Sequence, residues 1–286
     1  MNRRNAMDLL PALLSSLVVL LLFIIPVLYS IKESLFDYRG TFVGFDNYLN
    51  ALDDIYFQDA FIYTLRITLI SIVITMVSAV ILAMAIRKTF IGKRLTLFLL
   101  QFDVSMPAVT CASMMLIAFS QTGFTSSLFY NLGLISSYSE FPNIFINPNG
   151  HGLILSIVWM FIPYIALSFL AVLHSISNDQ EDQAATLGVS KMKRFIYITL
   201  PSLKSSIAYT SVLCFACVFG SFELPSLVGR EHSLVTLAYY YYSDVPLMMP
   251  EHMESYAISI ILFIITMVVS SILMYYSLVS SRRNDQ

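Results

Sequence analysis

Two carboxylates lie inside long apolar stretches of the sequence, where a charge at the centre of a membrane span costs about 2.5–3.5 kcal/mol. Asp103 comes four residues before Pro107, and Glu223 stands near the end of another apolar stretch. Carboxylates flanked by aromatic rings bind ammonium groups through charge and cation–π contacts. We therefore predict that a substrate path is lined by Asp103, Trp159, Phe222 and Glu223. The alternatives are that Asp103 pairs with another side chain within a helix bundle and that Glu223 is solvated at the outer mouth.

The cysteines and histidines of the chain do not form a reactive centre. Cys214 and Cys217 make a CxxC pair, but they stand in an apolar stretch without a βαβ context, so we interpret them as packing residues. The histidines are scattered without metal-ligand spacing, at His151, His174, His232 and His252. No nucleophile has a base placed beside it. We predict no catalytic residues and no metal site.

The elements that must position these side chains are membrane helices. The chain is 57% hydrophobic and 12% charged, against about 25% charged residues in an ordinary soluble domain. A helix needs about 20 apolar residues to cross the hydrocarbon core. Six stretches qualify, at residues 9–31, 61–86, 95–119, 152–176, 203–227 and 256–278. We predict an all-α polytopic membrane protein with six transmembrane helices, the first of which is a retained anchor rather than a signal peptide.

The Lys and Arg residues predict the orientation, because cytoplasmic loops carry an excess of positive side chains. With the N-terminus inside, twelve of them fall on cytoplasmic segments, whereas the external segments hold Lys32, Arg39 and Arg230. Both termini are therefore predicted to be cytoplasmic. We divide the chain into an N-terminal anchor helix with an external segment, residues 1–60, and a five-helix core, residues 61–286. The core includes a cytoplasmic loop at about residues 177–202.

The cytoplasmic loop has the pattern of a helix–turn–helix elbow. Residues 177–182 can cap a short helix, and their acidic side chains suit its dipole. Gly188 is predicted to take the left-handed conformation that ends this helix. Ser190 is predicted to cap a second helix over residues 191–198, which Pro201 stops. The alternative is an ordinary solvated loop.

This elbow resembles the EAA loop of ABC-importer permeases, the methionine-importer-like inner-membrane superfamily. The family pattern is E-A-A-x-x-x-G, followed further along by I-x-L-P. Gly188 takes the glycine position, and Ile198-Thr199-Leu200-Pro201 supplies the ending. Asp182 stands at the acidic position and Gln183 at the first alanine, which are departures from the pattern. The resemblance implies that the contacts to an ATPase are made by Asp182, Gln183, Ala184, Ala185, Gly188, Leu200 and Pro201.

Other stretches carry the resemblance over nearly the whole chain. Gly44-Phe45-Asp46-Asn47-Tyr48 is similar to the G-L-x-N-Y element of these permeases. Leu65-Arg66-Ile67-Thr68-Leu69 is similar to their L-R-N-T-L, with isoleucine in place of asparagine. Residues 219–225 and the chain length most resemble the polyamine (spermidine/putrescine) permeases. Permeases for ferric iron, thiamine and phosphonate are similar here, so these remain the alternative cargoes.

The resemblance implies a permease subunit of an ATP-driven importer in the bacterial cytoplasmic membrane. The implied partners are two copies of a cytoplasmic ATPase that uses ATP and Mg, a second homologous permease, and an extracytoplasmic substrate-binding protein, with no nucleic acid. The chain has no GxxxxGK[ST] phosphate loop, so we expect it to bind no cofactor and to be no enzyme itself. A six-helix secondary transporter or channel is the alternative from another class. Such a protein is expected to show internal hydropathy repeats and needs no ATPase-docking elbow.

Overall fold

The computed structural model describes residues 3–145, 147–175, 183–229 and 233–282. The α-helices in these ranges are α1 (Arg3–Ser34), α2 (Asp46–Asp53), α3 (Ile55–Arg87), α4 (Lys93–Val104), α5 (Ala108–Phe119), α6 (Phe124–Asn131), α7 (His151–Ser175), α8 (Lys191–Arg194), α9 (Leu200–Phe219), α10 (Leu234–Ser243) and α11 (Pro250–Arg282). A 3₁₀ turn covers Tyr138–Glu140, and π-helical segments cover Phe195–Thr199 and Pro225–Gly229.

Six helical runs within the described residues are long and apolar enough to cross a membrane, which confirms the predicted all-α architecture. They cover Ser15–Ser34, Ile55–Arg87, Ala108–Asn131, His151–His174, Lys191–Phe219 and Pro250–Tyr276. The chain forms two compact units. The first comprises Met1–Ala60 and Leu234–Ile264, and the second comprises Phe61–Ser233 and Ile265–Gln286.

In the first unit, α2 is tied to the end of α1 by Asn47. The side-chain amide of Asn47 donates to the carbonyl oxygens of Ser34 and Phe36, at 2.9 Å each. The hydroxyl groups of Ser34 and Tyr48 share a further hydrogen bond of 2.6 Å. These carbonyls are otherwise left without a partner where a helix ends. The Asn-Tyr pair of the G-F-D-N-Y element therefore has a structural role as a helix C-terminal clamp.

In the second unit, α7 is the central helix and packs against α4, α5 and α9. Phe169 of α7 is fully buried in a cluster that also contains Leu203 of α9 and side chains of α3. A second cluster joins Ile157 of α7 to Cys111 of α5 and to Leu224. These two clusters fix the positions of the helices that carry the predicted site residues.

The third predicted span, residues 95–119, is two helices rather than one, so this prediction is wrong. Helix α4 ends at Val104, the backbone is extended at Pro107 (φ −62°, ψ 146°), and α5 begins at Ala108. Pro107 has no N–H to continue the helix, and its ring disfavours the helical conformation of the preceding residue. The single helix predicted for residues 95–119 is therefore broken at this proline.

The second helix of the elbow does not stop at Pro201, which also contradicts the prediction. Helix α8 continues through the segment Phe195–Thr199 into α9, so that Lys191–Phe219 is one helical run of 29 residues. The N–H of Leu200 donates to the carbonyl of Phe195, which is the five-residue spacing of a π turn. Such a turn accommodates proline in a membrane helix because it re-satisfies backbone groups that the proline frees.

Replacing Gly152 with alanine is expected to lower the stability of the second unit. Gly152 lies in the first turn of α7, where a methyl group would overlap the buried ring of Phe145. Overpacking of this kind costs about 1–3 kcal/mol, so the midpoint of thermal unfolding in detergent should fall. Gly220→Ala is the matched control, because the nearest atom to its added Cβ would be 3.4 Å away. Equal midpoints for the two variants would contradict this packing.

Candidate functional site

The first helix of the elbow ends at Gly188, as predicted. Gly188 has a φ of +77°, and its N–H donates to the carbonyl of Ala185 at 3.0 Å. The N–H of Val189 donates to the carbonyl of Ala184, also at 3.0 Å. This pair of bonds is the Schellman motif, which closes a helix with a left-handed residue. The motif fixes the direction in which the chain leaves the helix towards α8.

The surface of the elbow is exposed and partly apolar. Gln183 and Ala185 are exposed, Ala184 is half-buried, and Leu200 and Pro201 are exposed at the start of α9. Asp182, the predicted acidic contact, lies outside the described residues. Three large apolar side chains of the elbow that the sequence interpretation passed over are also exposed, namely Leu187, Met192 and Tyr197, at 83%, 67% and 75%. Exposed apolar residues grouped on one protrusion are typical of a protein–protein contact.

Asp103 and Trp159, which are 56 residues apart in the chain, are brought together by the packing of α4 on α7. The indole Nε1 of Trp159 donates to Oδ1 of Asp103 at 3.1 Å. The other carboxylate oxygen, Oδ2, is shielded from solvent and has no hydrogen-bond partner among the described residues. Trp159 itself is 51% exposed, so its ring offers a free face. The pair therefore presents an aromatic surface beside a carboxylate with spare acceptor capacity.

Phe222 and Glu223 follow a break in the fifth predicted span. That stretch was expected to run to residue 227, but α9 ends at Phe219, and the chain becomes helical again only after Phe222. Both side chains are exposed, whereas the next residue, Leu224, is buried in the cluster that contains Cys111. Among the four predicted path residues, a hydrogen bond joins Asp103 to Trp159.

Arg66 of α3 contacts the loop that precedes α7. Its guanidinium group donates to the carbonyl of Pro148 at 3.5 Å and lies 5.8 Å from the ring centre of Tyr63. These contacts attach the loop before α7 to α3. Among the described residues, no group of three His, Cys, Asp or Glu side chains is arranged to hold a metal ion.

Residues 77–284 match the family described as "Binding-protein-dependent transport system inner membrane component". The chain belongs to this family. It is accordingly an inner-membrane permease of the ABC-importer type, a multi-pass protein whose role is in transport. This establishes the broader of the two assignments made from the sequence. The family description does not extend to the narrower assignment, to the methionine-importer-like and polyamine permeases.

The names of similar proteins refer to more than one kind of cargo. The sulfate transport system permease protein CysW of Synechococcus elongatus is 29% identical over 187 residues, which is 65% of this chain and 62% of that protein. The chain thus matches less than two thirds of that relative's length. The arabinooligosaccharides transport system permease protein AraP of Bacillus subtilis is 27% identical over 277 residues, 92% of this chain and 84% of that protein.

The fold is similar to a chain in the crystal structure of a bacterial ABC transporter involved in the import of the acidic polysaccharide alginate. The TM-score is 0.77 at 17% sequence identity, and the match covers 96% of both chains. A likeness of this extent at low identity confirms the fold of the permease.

Proposed function

We propose that this chain lines half of the translocation path of an ATP-driven importer and that its cargo carries positive charge, as a polyamine does. The observation that carries the proposal is the Asp103–Trp159 pair. In it, a shielded carboxylate oxygen that has no hydrogen-bond partner in the described part of the chain lies beside an exposed indole. A buried carboxylate favours a cationic ligand and repels an anion. The indole ring adds a cation–π surface for an ammonium group.

The elbow supports a second part of the proposal, which concerns coupling to a partner chain. Its exposed apolar residues Leu187, Met192 and Tyr197 suit docking onto a cytoplasmic ATPase, two copies of which would use ATP and Mg. A second permease would complete the path. A binding protein outside the membrane would deliver the cargo, in keeping with the family description. We assign the described coupling residues, Gln183, Ala184, Ala185, Gly188, Leu200 and Pro201, to this docking surface, whereas the contact of Asp182 stays a prediction from the sequence.

A neutral oligosaccharide is the second candidate cargo, and the arabinooligosaccharide permease favours it because that relative matches over most of both chains. Aromatic rings and carboxylates also bind sugars, through stacking and through hydrogen bonds to hydroxyl groups. The two candidates differ in what they require of Asp103. A cation needs its negative charge, whereas a sugar needs only an acceptor oxygen.

Asp103→Asn separates the two cargoes. For spermidine, loss of the charge-assisted hydrogen bond should raise the half-saturation concentration for uptake about 10–100-fold. For an arabino-oligosaccharide, the asparagine oxygen still accepts hydrogen bonds, so the change should stay below about threefold. The measurement is uptake of each labelled solute by cells that express the complete transporter, with the exposed Asp53→Asn as the control. If spermidine uptake is unchanged in Asp103→Asn, the assignment of a cationic cargo is refuted.

A further inference from the structure

The turn between α3 and α4 concentrates positive charge at one end of two helices of the second unit. Arg87 ends α3, Lys88 follows it, and Lys93 and Arg94 begin α4. Residues 60–102 contain no Asp or Glu. Within the described part of the chain, Lys88, Lys93 and Arg94 form no ion pair. The charges of these three side chains are therefore available to an anion from outside the chain.

Two of these basic side chains line a cavity at the turn. The cavity has a volume of about 510 Å³ and is lined by Thr89, Phe90, Gly92, Lys93, Arg94 and Leu97. This volume is within the range of small-molecule sites, which is about 300–1,000 Å³. Nζ of Lys93 donates to the carbonyl of Arg87 at 3.3 Å, which holds the ammonium group beside the end of α3 and leaves it two further N–H donors. The cavity thus combines an oriented ammonium group, a guanidinium group and the hydroxyl group of Thr89.

The start of α4 adds backbone donors to this cavity. The helix has 12 residues, and its first amide groups have no partner inside the helix. Gly92 precedes them in the left-handed conformation, with a φ of +94°, and has no side chain that could cap them. A Cβ atom at Gly92 would meet no other atom within 4 Å, so the space around this position is open. An uncapped helix start with open space in front of it favours an anion.

The apolar side chains of the turn indicate the source of the anion. Ile91 is fully exposed and Phe90 is 44% exposed, and both come shortly after the last residue of the span Ile55–Arg87. A phospholipid suits this arrangement, because its phosphate meets the basic groups while its acyl chains meet the apolar side chains. A free phosphate ion would leave Ile91 and Phe90 in water. The Lys and Arg pattern places this turn on the predicted cytoplasmic side, where anionic lipids attract basic segments next to a span.

We propose that the turn between α3 and α4 binds the headgroup of an anionic phospholipid, such as phosphatidylglycerol. Lys93 and Arg94 neutralise the phosphate, and the first amide groups of α4 and the hydroxyl group of Thr89 donate hydrogen bonds to its oxygens. The acyl chains extend past Phe90 and Ile91. The site shares no residue with the Asp103–Trp159 pair or with the predicted coupling residues, so it stands or fails separately from the proposed function.

The test is native mass spectrometry of the full chain in detergent, titrated with phosphatidylglycerol or with phosphatidylcholine of equal chain length. The first phosphatidylglycerol should bind about tenfold more tightly, because phosphatidylcholine has no net charge. Replacing Lys93 and Arg94 together with glutamine should remove this preference. The matched control replaces Lys191 and Lys193 with glutamine, which removes the same charge from exposed positions outside the cavity. This control should bind phosphatidylglycerol like the wild type.

Two further measurements keep the result interpretable. Arg94→Gln alone should weaken phosphatidylglycerol binding about threefold. Arg94 is exposed and forms no ion pair within the described ranges, so its replacement should leave the turn folded. A tenfold molar excess of inorganic phosphate over lipid should leave the lipid bound, whereas displacement by phosphate would overturn the lipid assignment. The proposal also fails if the wild type does not prefer phosphatidylglycerol, or if both double variants lose the preference equally.

Discussion

Replacing Gly188 with proline is expected to reduce ATP-driven uptake to background while the chain still reaches the membrane. Gly188 has a φ of +77°, whereas proline is restricted to about −65°. Proline would also remove the N–H that bonds the carbonyl of Ala185. The helix end would therefore unwind, and the exposed surface formed by Ala185 and Leu187 would lose its orientation. Because this surface is the proposed contact to the ATPase, coupling should fail although the membrane helices remain intact.

The chain contains a matched control at the end of α6. Gly133 has a φ of +71°, its N–H donates to the carbonyl of Tyr130, and the N–H of Leu134 donates to Phe129. Gly133→Pro therefore breaks the same Schellman motif on the predicted outer side. The measurement is co-purification of the ATPase with each tagged variant, together with ATP-dependent uptake. We expect Gly133→Pro to retain the ATPase and Gly188→Pro to lose it. Wild-type association of Gly188→Pro would refute the coupling role of the elbow.

Replacing Phe169 with alanine is expected to lower the free energy of unfolding by about 3–5 kcal/mol. Phe169 is 0% exposed and lies in the cluster that joins α7 to Leu203 of α9 and to side chains of α3. Its removal leaves a cavity that helices fixed on several sides cannot close. The loss of dispersion contacts applies in lipid as well as in water, because packing is the main force that holds membrane helices together.

The measurement for Phe169→Ala is the midpoint of thermal unfolding in detergent, which should fall by roughly 10 °C. Phe98→Ala is the control, because Phe98 of α4 is 62% exposed and its truncation leaves no enclosed cavity. We expect the control to shift the midpoint by less than about 2 °C. A similar loss in both variants would mean that the cluster around Phe169 does not hold these helices together.

The helices and the end of the elbow could be predicted because each depends on local chemistry. Runs of apolar residues identify spans, and Gly188 supplies a conformation that other residues adopt at a cost. The outcome at Pro107 and at Pro201 could not be predicted in this way. Both lack an N–H, yet one breaks a helix and the other is accommodated by a π turn. The difference depends on how the flanking segments pack, which is a tertiary property.

For the candidate sites, the sequence predicted some of the residues but not the contacts between them. Asp103 and Trp159 were both expected in the path, but their hydrogen bond results from the packing of α4 on α7 and has no signal in the sequence. The hydrogen bond from Tyr241 to Asp54 was not predicted, because the two residues are 187 positions apart in the chain.

The uninterrupted helical run Lys191–Phe219 connects the second helix of the elbow directly to the fifth span. Its 29 residues extend over about 40 Å without a break in the helix. Over that length, a tilt of about 10° at the cytoplasmic end displaces the opposite end by roughly 7 Å. The segment that carries Phe222 and Glu223 begins just beyond that end. A rotation small enough to be absorbed in a docked elbow is thus sufficient to move these two side chains by more than the width of a water molecule.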